Sequence, residues 1–271
     1  MQTRSIQSRP LGWVFHINKS VNSSKYFRAE SKSDERDPFS RLITYVNSSP
    51  SSNVIASAEC LSKHKLSSSH FDRLNMSLGN IFFVACLRDP AEWAVSHVQQ
   101  IQKLKGRKGL ENDSLSPHYE DVVTHYQSLT KNVILINFED LITAKEGVTC
   151  SFLLNLMPPQ SNIPKELINL GKKYNSSLCH EAIEVLNYMY EMNLVDKQNF
   201  PGLLKILRSW KGVKFKPSHE LAQQIENSIA GDHLYYRAVF PSAKPITSIS
   251  SGEKPQLDEY LLQKLSEILI K

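Results

Sequence analysis

The stretch His16-Ile17-Asn18-Lys19-Ser20-Val21-Asn22-Ser23-Ser24 concentrates one lysine among small polar residues, directly after the apolar run Val14, Phe15 and Ile17. β-Branched and aromatic residues favour a strand, and a buried strand that opens into a Ser/Asn turn and then a helix can cradle phosphate. Backbone N–H groups at the helix N-terminus point at the anion, and a lysine ammonium adds a full charge. The nucleotide pattern G-x-x-x-x-G-K-[ST] is absent: both glycines are missing and the lysine comes early. The same residues also fit a strand running into an Asn/Ser turn with a solvated lysine. A second group of residues bears on the choice. Arg88-Asp89-Pro90 follows the near-continuous apolar run Ile81 to Leu87, and Ser96 comes roughly two turns into the next helix. An arginine fork and a hydroxyl so placed can grip one phosphate from two directions. A structural ion pair at Arg88 and an ordinary helical serine at Ser96 remain the alternative.

These residues need a scaffold, and the chain alternates apolar runs with amphipathic segments. Four short parallel strands are predicted near 13–17, 53–57, 81–87 and 132–137, forming one sheet with helices on both sides. Ile81 to Leu87 reads as a strand buried on both faces and hence central. Asp89 suits an N-cap and Pro90 the first helical position, which holds Arg88 at the C-terminal edge of that strand, where open α/β sheets bind ligands. Lys19 is expected at the same edge, with Glu59 just past the end of the second strand. Pro38 opens a helix carrying Phe39, Leu42, Ile43 and Val46 on one face; Phe71, Leu74 and Leu78 mark another, closed by Gly79. Lys103, Lys105, Arg107 and Lys108 surround a Gly-containing loop that is either solvated, a lid or an acceptor-binding edge.

Beyond Leu141 the chain turns mostly helical. Core stripes are expected at Leu178, Ala182, Val185, Leu186 and Met189, at Leu203, Leu204 and Leu207, and at Leu221, Ile225 and Ile229. The expected organisation is an N-terminal tail over 1–11, an α/β domain over 12–240, a Ser/Pro linker over 241–255 and a C-terminal helix over 256–271. That helix either packs back on the body or forms a homodimer contact.

Composition narrows the class. In 271 residues, 41% are hydrophobic and 22% charged, the balance of a water-soluble globular protein with ample core. The net charge of +5 is too small to imply nucleic-acid binding and suits an enzyme handling anionic ligands. Cys60, Cys86, Cys150 and Cys179 form no C-x-x-C pair, so free buried thiols are expected rather than disulfides or zinc. No signal peptide or apolar run of about 20 residues is visible, and the cytoplasm is the expected location.

His16 to Ser24 resembles the 5′-phosphosulfate loop of the carbohydrate sulfotransferases, H-I-P-K-[TS]-x-G-[TS]-[TS]. Arg88-Asp89-Pro90 with Ser96 resembles the 3′-phosphate motif of that P-loop sulfotransferase family, R-[DN]-P-x-x-x-x-x-S. Asn137-Phe138-Glu139-Asp140-Leu141 is similar to its Y-E-D-L segment, and Ala56-Ser57-Ala58-Glu59 to the S-S-E segment of many bacterial members. The resemblance covers roughly residues 12–142.

The resemblance implies a three-layer P-loop-type parallel sheet. It also implies 3′-phosphoadenosine 5′-phosphosulfate (PAPS) as donor, no metal, and a carbohydrate or glycoconjugate acceptor that receives the sulfuryl group on a hydroxyl or amine. Lys19 would neutralise the leaving phosphate oxygen. Ser20, Asn22, Ser23 and Ser24 would line the phosphosulfate, Arg88 and Ser96 would hold the 3′-phosphate, and Glu59 or His16 would be the general base. Two departures stand out: Asn18 replaces the usual proline and Asn22 the usual glycine. Asn tolerates left-handed backbone, so the loop can keep its shape, yet a side chain then stands where backbone should meet phosphate. A non-catalytic sulfotransferase-like domain that binds glycans or proteins is therefore the second hypothesis. A P-loop nucleotide kinase is the third and the poorer, lacking its glycines and its later lysine.

Overall fold

The computed structural model describes residues 14–19, 38–48, 52–56, 65–112, 114–156, 177–196, 198–243, 246 and 248–252. Contacts divide the chain into two compact units, Met1–Leu87 with His118–Asn169, and Arg88–Pro117 with Leu170–Lys271.

The first unit is α/β. Its strands are β1 (Val14–Lys19), β2 (Ser52–Ala56), β3 (Ile81–Leu87) and β4 (Val133–Asn137), in the order β2-β1-β3-β4. Its helices are α1 (Pro38–Ser48), α2 (Ser68–Leu78), α4 (Tyr119–Leu129), α5 (Phe138–Thr143) and α6 (Val148–Leu156). β3 and β4 pair in parallel, from Phe83 opposite Val133 to Leu87 opposite Asn137. β1 does not follow suit. It runs antiparallel to both neighbours, with Phe15 opposite Ala56 on one side and Phe83 on the other.

The all-parallel expectation is thereby corrected. An apolar run has a period but no polarity, so Val14, Phe15 and Ile17 fit either direction. Antiparallel hydrogen bonds are also slightly the more stable per residue. One consequence concerns Lys19. Ile17 pairs with Ile81 and Lys19 with Ser52, so β1 ends where β3 begins. Leu87 lies six residues further along β3, about 20 Å of strand at ~3.3 Å per residue.

Successive β3 side chains alternate between faces. Phe83 is fully buried between Phe71 of α2 and Tyr126 of α4, with ring centroids 5.7 and 4.5 Å away. The Tyr126 hydroxyl accepts the Leu66 N–H at 3.2 Å, and burial pushes its pKa up to about 12. Val84 packs instead with Ile136 and Leu141, next to Ile134, Phe152 and Leu156. Cys86, expected as a buried thiol, is exposed although Val84 on the same face of β3 is buried, whereas Cys150 is buried.

The second unit is helical: α3 (Pro90–Lys105), a 3-10 turn over Arg107–Asn112, α7 (His180–Glu191), α8 (Phe200–Ser209), α9 (His219–Ser228) and α10 (Ala230–Val239). The stripes read from the sequence form its core: Ala182, Val185, Leu186 and Met189 of α7, and Leu203, Leu204 and Leu207 of α8. Ala91, Ala94 and Val98 of α3 pack among them, with Ile225 and Ile229. α3 stops at Gly106, whose φ of 66° suits glycine and whose added Cβ would lie 2.9 Å from Tyr190 Cβ. In the stretch expected to be a linker, Ile246 and Ile249 pack against the core, and the Ile249 N–H donates to Glu226 at 2.9 Å. The expected C-terminal helix over 256–271 lies outside the described residues. No described helix is long and apolar enough to cross a membrane.

Candidate functional site

Arg88 directly follows β3, and the chain turns at once into α3. Asp89 makes the turn rigid: it is buried, and one carboxylate oxygen accepts the N–H groups of Ala91 at 2.9 Å and Glu92 at 3.2 Å. Pro90 occupies the first helical position, where its missing N–H costs nothing. Glu92 adds a negative charge to the first turn, and Lys103 and Lys105 add positive charge to the last, both matching the helix dipole.

The Arg88 guanidinium is partly buried and points along the helix. Its Nη2 lies 3.1 Å from Glu92 Oε2, and Lys214 Nζ lies 3.6 Å from the other Glu92 oxygen. Ser96 is exposed one turn beyond Glu92 on the same face of α3, while Arg88 precedes the helix and reaches Glu92 from its entry. Beside that face the Trp93 and His97 rings stack, centroids 4.7 Å apart and planes 19° from parallel. Chemically, this is a guanidinium at the entry to α3, held by the Glu92 carboxylate, with the Ser96 hydroxyl one turn beyond Glu92 on the helix.

The other expected site residues stand differently. His16 lies mid-strand in β1, opposite Ile55 and Phe82. Lys19 closes β1 at the start of β3, and not at the Leu87 end expected for it. Ser20, Asn22, Ser23, Ser24 and Glu59 lie outside the described residues. Asn137 ends β4 opposite Leu87, and its side chain caps α5 by accepting the Glu139 N–H at 3.0 Å. The segment resembling Y-E-D-L is thus a capped strand-to-helix turn.

Two members of the Arg88 cluster escaped sequence reasoning. Glu92 was legible, since Arg88 and Glu92 stand at i, i+4. Lys214 was not, because 122 residues of sequence separate it from Glu92 and no local pattern links them. Among the described residues there is no group of three or more His, Cys, Asp or Glu side chains placed to hold a metal ion. Comparison of the chain with protein-family models, with curated proteins and with solved structures finds no match.

Proposed function

We propose that this chain is a cytoplasmic sulfotransferase that moves a sulfuryl group from PAPS to a hydroxyl or amine of a carbohydrate or glycoconjugate. The observation that carries the proposal is the Arg88 turn. What supports the reading is that the motif resembling a 3′-phosphate grip forms a capped helix entry, with Asp89 and Pro90 at the start of α3 and Ser96 exposed along it. In the transfer, the sulfur–oxygen bond to the 5′-phosphate breaks and one to the acceptor forms. The acceptor proton passes to a base, Glu59 or His16, and Lys19 balances the charge on the departing phosphate oxygen.

The direction of β1 favours a second proposal. Transfer needs Lys19 on the same nucleotide as Arg88, and an antiparallel β1 carries Lys19 toward the opposite edge of the sheet. A non-catalytic domain that keeps the Arg88 grip and has lost transfer accounts for that direction, and for Asn18 and Asn22 in the degenerate loop.

One pair of measurements separates them. Thermal unfolding should shift more with 3′-phosphoadenosine 5′-phosphate than with ATP in either case, because binding to the folded state raises stability by mass action. Labelled PAPS should then yield labelled glycan only if the chain is an enzyme. Equal shifts with the two nucleotides would remove the 3′-phosphate grip and both proposals with it.

A further inference from the structure

Between α8 and α9 the segment Trp210–Lys216 lies against the start of α7. Lys214 forms an antiparallel bridge with Cys179, and the His180 N–H donates to the Val213 carbonyl at 2.9 Å. Two further contacts end on titratable side chains of α7. The Val213 N–H donates to Glu181 Oε1 at 3.3 Å, and the Lys216 N–H donates to His180 Nδ1 at 3.4 Å. Gly212 comes so close to Glu181 that a Cβ there would meet its carboxylate. Phe215 is buried, its ring centroid 5.7 Å from that of His180. The segment also carries Lys214 to Glu92, with Nζ 3.6 Å from Oε1.

The two side-chain acceptors answer acid differently. A carboxyl group that takes a proton keeps an accepting oxygen, whereas an imidazolium has two donors and no acceptor. Because Nδ1 accepts from Lys216, the neutral ring carries its proton on Nε2, which is buried and has no partner among the described residues. A proton added at Nδ1 would set one N–H against another at a side chain only 7% exposed. The surrounding charges are already matched. Glu184 of α7 pairs with Arg107 of the 3-10 turn, and Glu181 holds the Val213 N–H. Lys216 adds a positive charge beside the ring, while α3 and α9 bring only Gln102 and Ser218, neither charged. Burial pushes the Cys179 thiol up, so it stays neutral in acid.

We propose that His180 is an acid-sensitive clasp. While neutral it holds the Lys216 N–H and fixes the segment on α7; on protonation it releases that N–H and loosens the segment that carries Lys214 to Glu92. Phe215 stays anchored in the core, so the loosening is local. The opened form takes up a proton that the clasped form excludes, so opening rises by up to tenfold per pH unit below the free imidazole value of about 6.5. The device stands apart from the proposed transfer reaction and does not depend on it.

Amide hydrogen exchange of the ¹⁵N-labelled full-length protein, followed from about pH 7.5 down to about pH 5, tests this. The protection factor of the Lys216 amide should fall by up to tenfold per pH unit below about pH 6.5, while that of Leu186 in the core of α7 stays level. His180→Asn puts an oxygen in place of Nδ1 and cannot titrate, so the Lys216 amide should stay level in that variant. Ring ¹⁵N spectra of the wild-type protein should show the Nε2–H tautomer at the upper pH, with imidazolium appearing in step with the loss of protection. These spectra decide if His180→Asn does not fold. A level Lys216 amide in the wild-type protein, a parallel fall at Leu186, the same fall in His180→Asn, or a ring protonated on Nδ1 at the upper pH would each overturn the proposal.

Discussion

Arg88 Nη2 lies 3.1 Å from Glu92 Oε2, one helical turn further on. The guanidinium is thus held in one orientation, and under the proposed function a phosphate would meet a fork already oriented. Arg88→Ala should weaken 3′-phosphoadenosine 5′-phosphate by about 1.5–3 kcal/mol, roughly ten- to a hundredfold. Calorimetric titration checks this, and unchanged affinity would remove Arg88 from the site.

Lys19 and Glu59 divide the two proposals. For an enzyme, Lys19→Ala should lower turnover far more than donor affinity, because its partner oxygen gains charge only as the sulfuryl group leaves. Glu59→Gln should leave nucleotide affinity nearly intact and lower turnover roughly a hundredfold if it is the base. For a non-catalytic domain, neither change alters nucleotide binding and no variant turns over. Single-turnover assays beside binding isotherms distinguish these outcomes.

Asp89 holds the turn that presents Arg88. Asp89→Ala removes the acceptor of two N–H groups at the start of α3 and should destabilise the protein by about 0.5–2 kcal/mol. Nucleotide affinity should fall with it, since the guanidinium loses its fixed approach. Urea unfolding with an unchanged m-value would verify the first part. Wild-type stability would show that the cap contributes nothing.

Tyr126 sets an alkaline limit. Its folded pKa of about 12 lies above the ordinary value of 10, because burial disfavours the phenolate. A pKa raised on folding stabilises at pH below the unfolded value and loses that contribution as pH rises. Stability should therefore decline between about pH 10 and pH 12. Tyr126→Phe should flatten this decline. It should also cost roughly 1–3 kcal/mol at neutral pH, because the buried Leu66 N–H loses its acceptor. An equally steep alkaline loss in Tyr126→Phe would assign the effect elsewhere.

Much of the scaffold was legible because its signals are local. The apolar run Ile81 to Leu87, the Asp-Pro entry to α3, Gly79 after α2 and the 3.6-residue stripes of α7, α8 and α9 each carry their own instruction. Strand direction carries none. Val14, Phe15 and Ile17 announce a strand, yet whether it runs with β3 or against it depends on partners supplied from elsewhere in the chain. The site shows the same division. Arg88 and Ser96 are candidates by spacing alone, and the observed Arg88–Glu92 ion pair stood within reach of the same logic. Lys214 against Glu92, or Arg107 against Glu184, are meetings of distant segments that no window of sequence contains.

Each unit is assembled from two separated stretches of chain, and this has a consequence for synthesis. The apolar face of α3, Ala94 and Val98 among its residues, leaves the ribosome long before Leu186 and Met189 of α7, its core companions. About ninety residues must be added in between, which at 5–20 residues per second takes roughly 5–20 s. During that interval a greasy helix waits without its cover. The α/β unit is complete once Asn169 has emerged, whereas the helical unit waits for the chain beyond Leu170, and neither unit can be cut out as one continuous fragment. The apolar residues of α3 are therefore buried only when the later half of their own unit arrives.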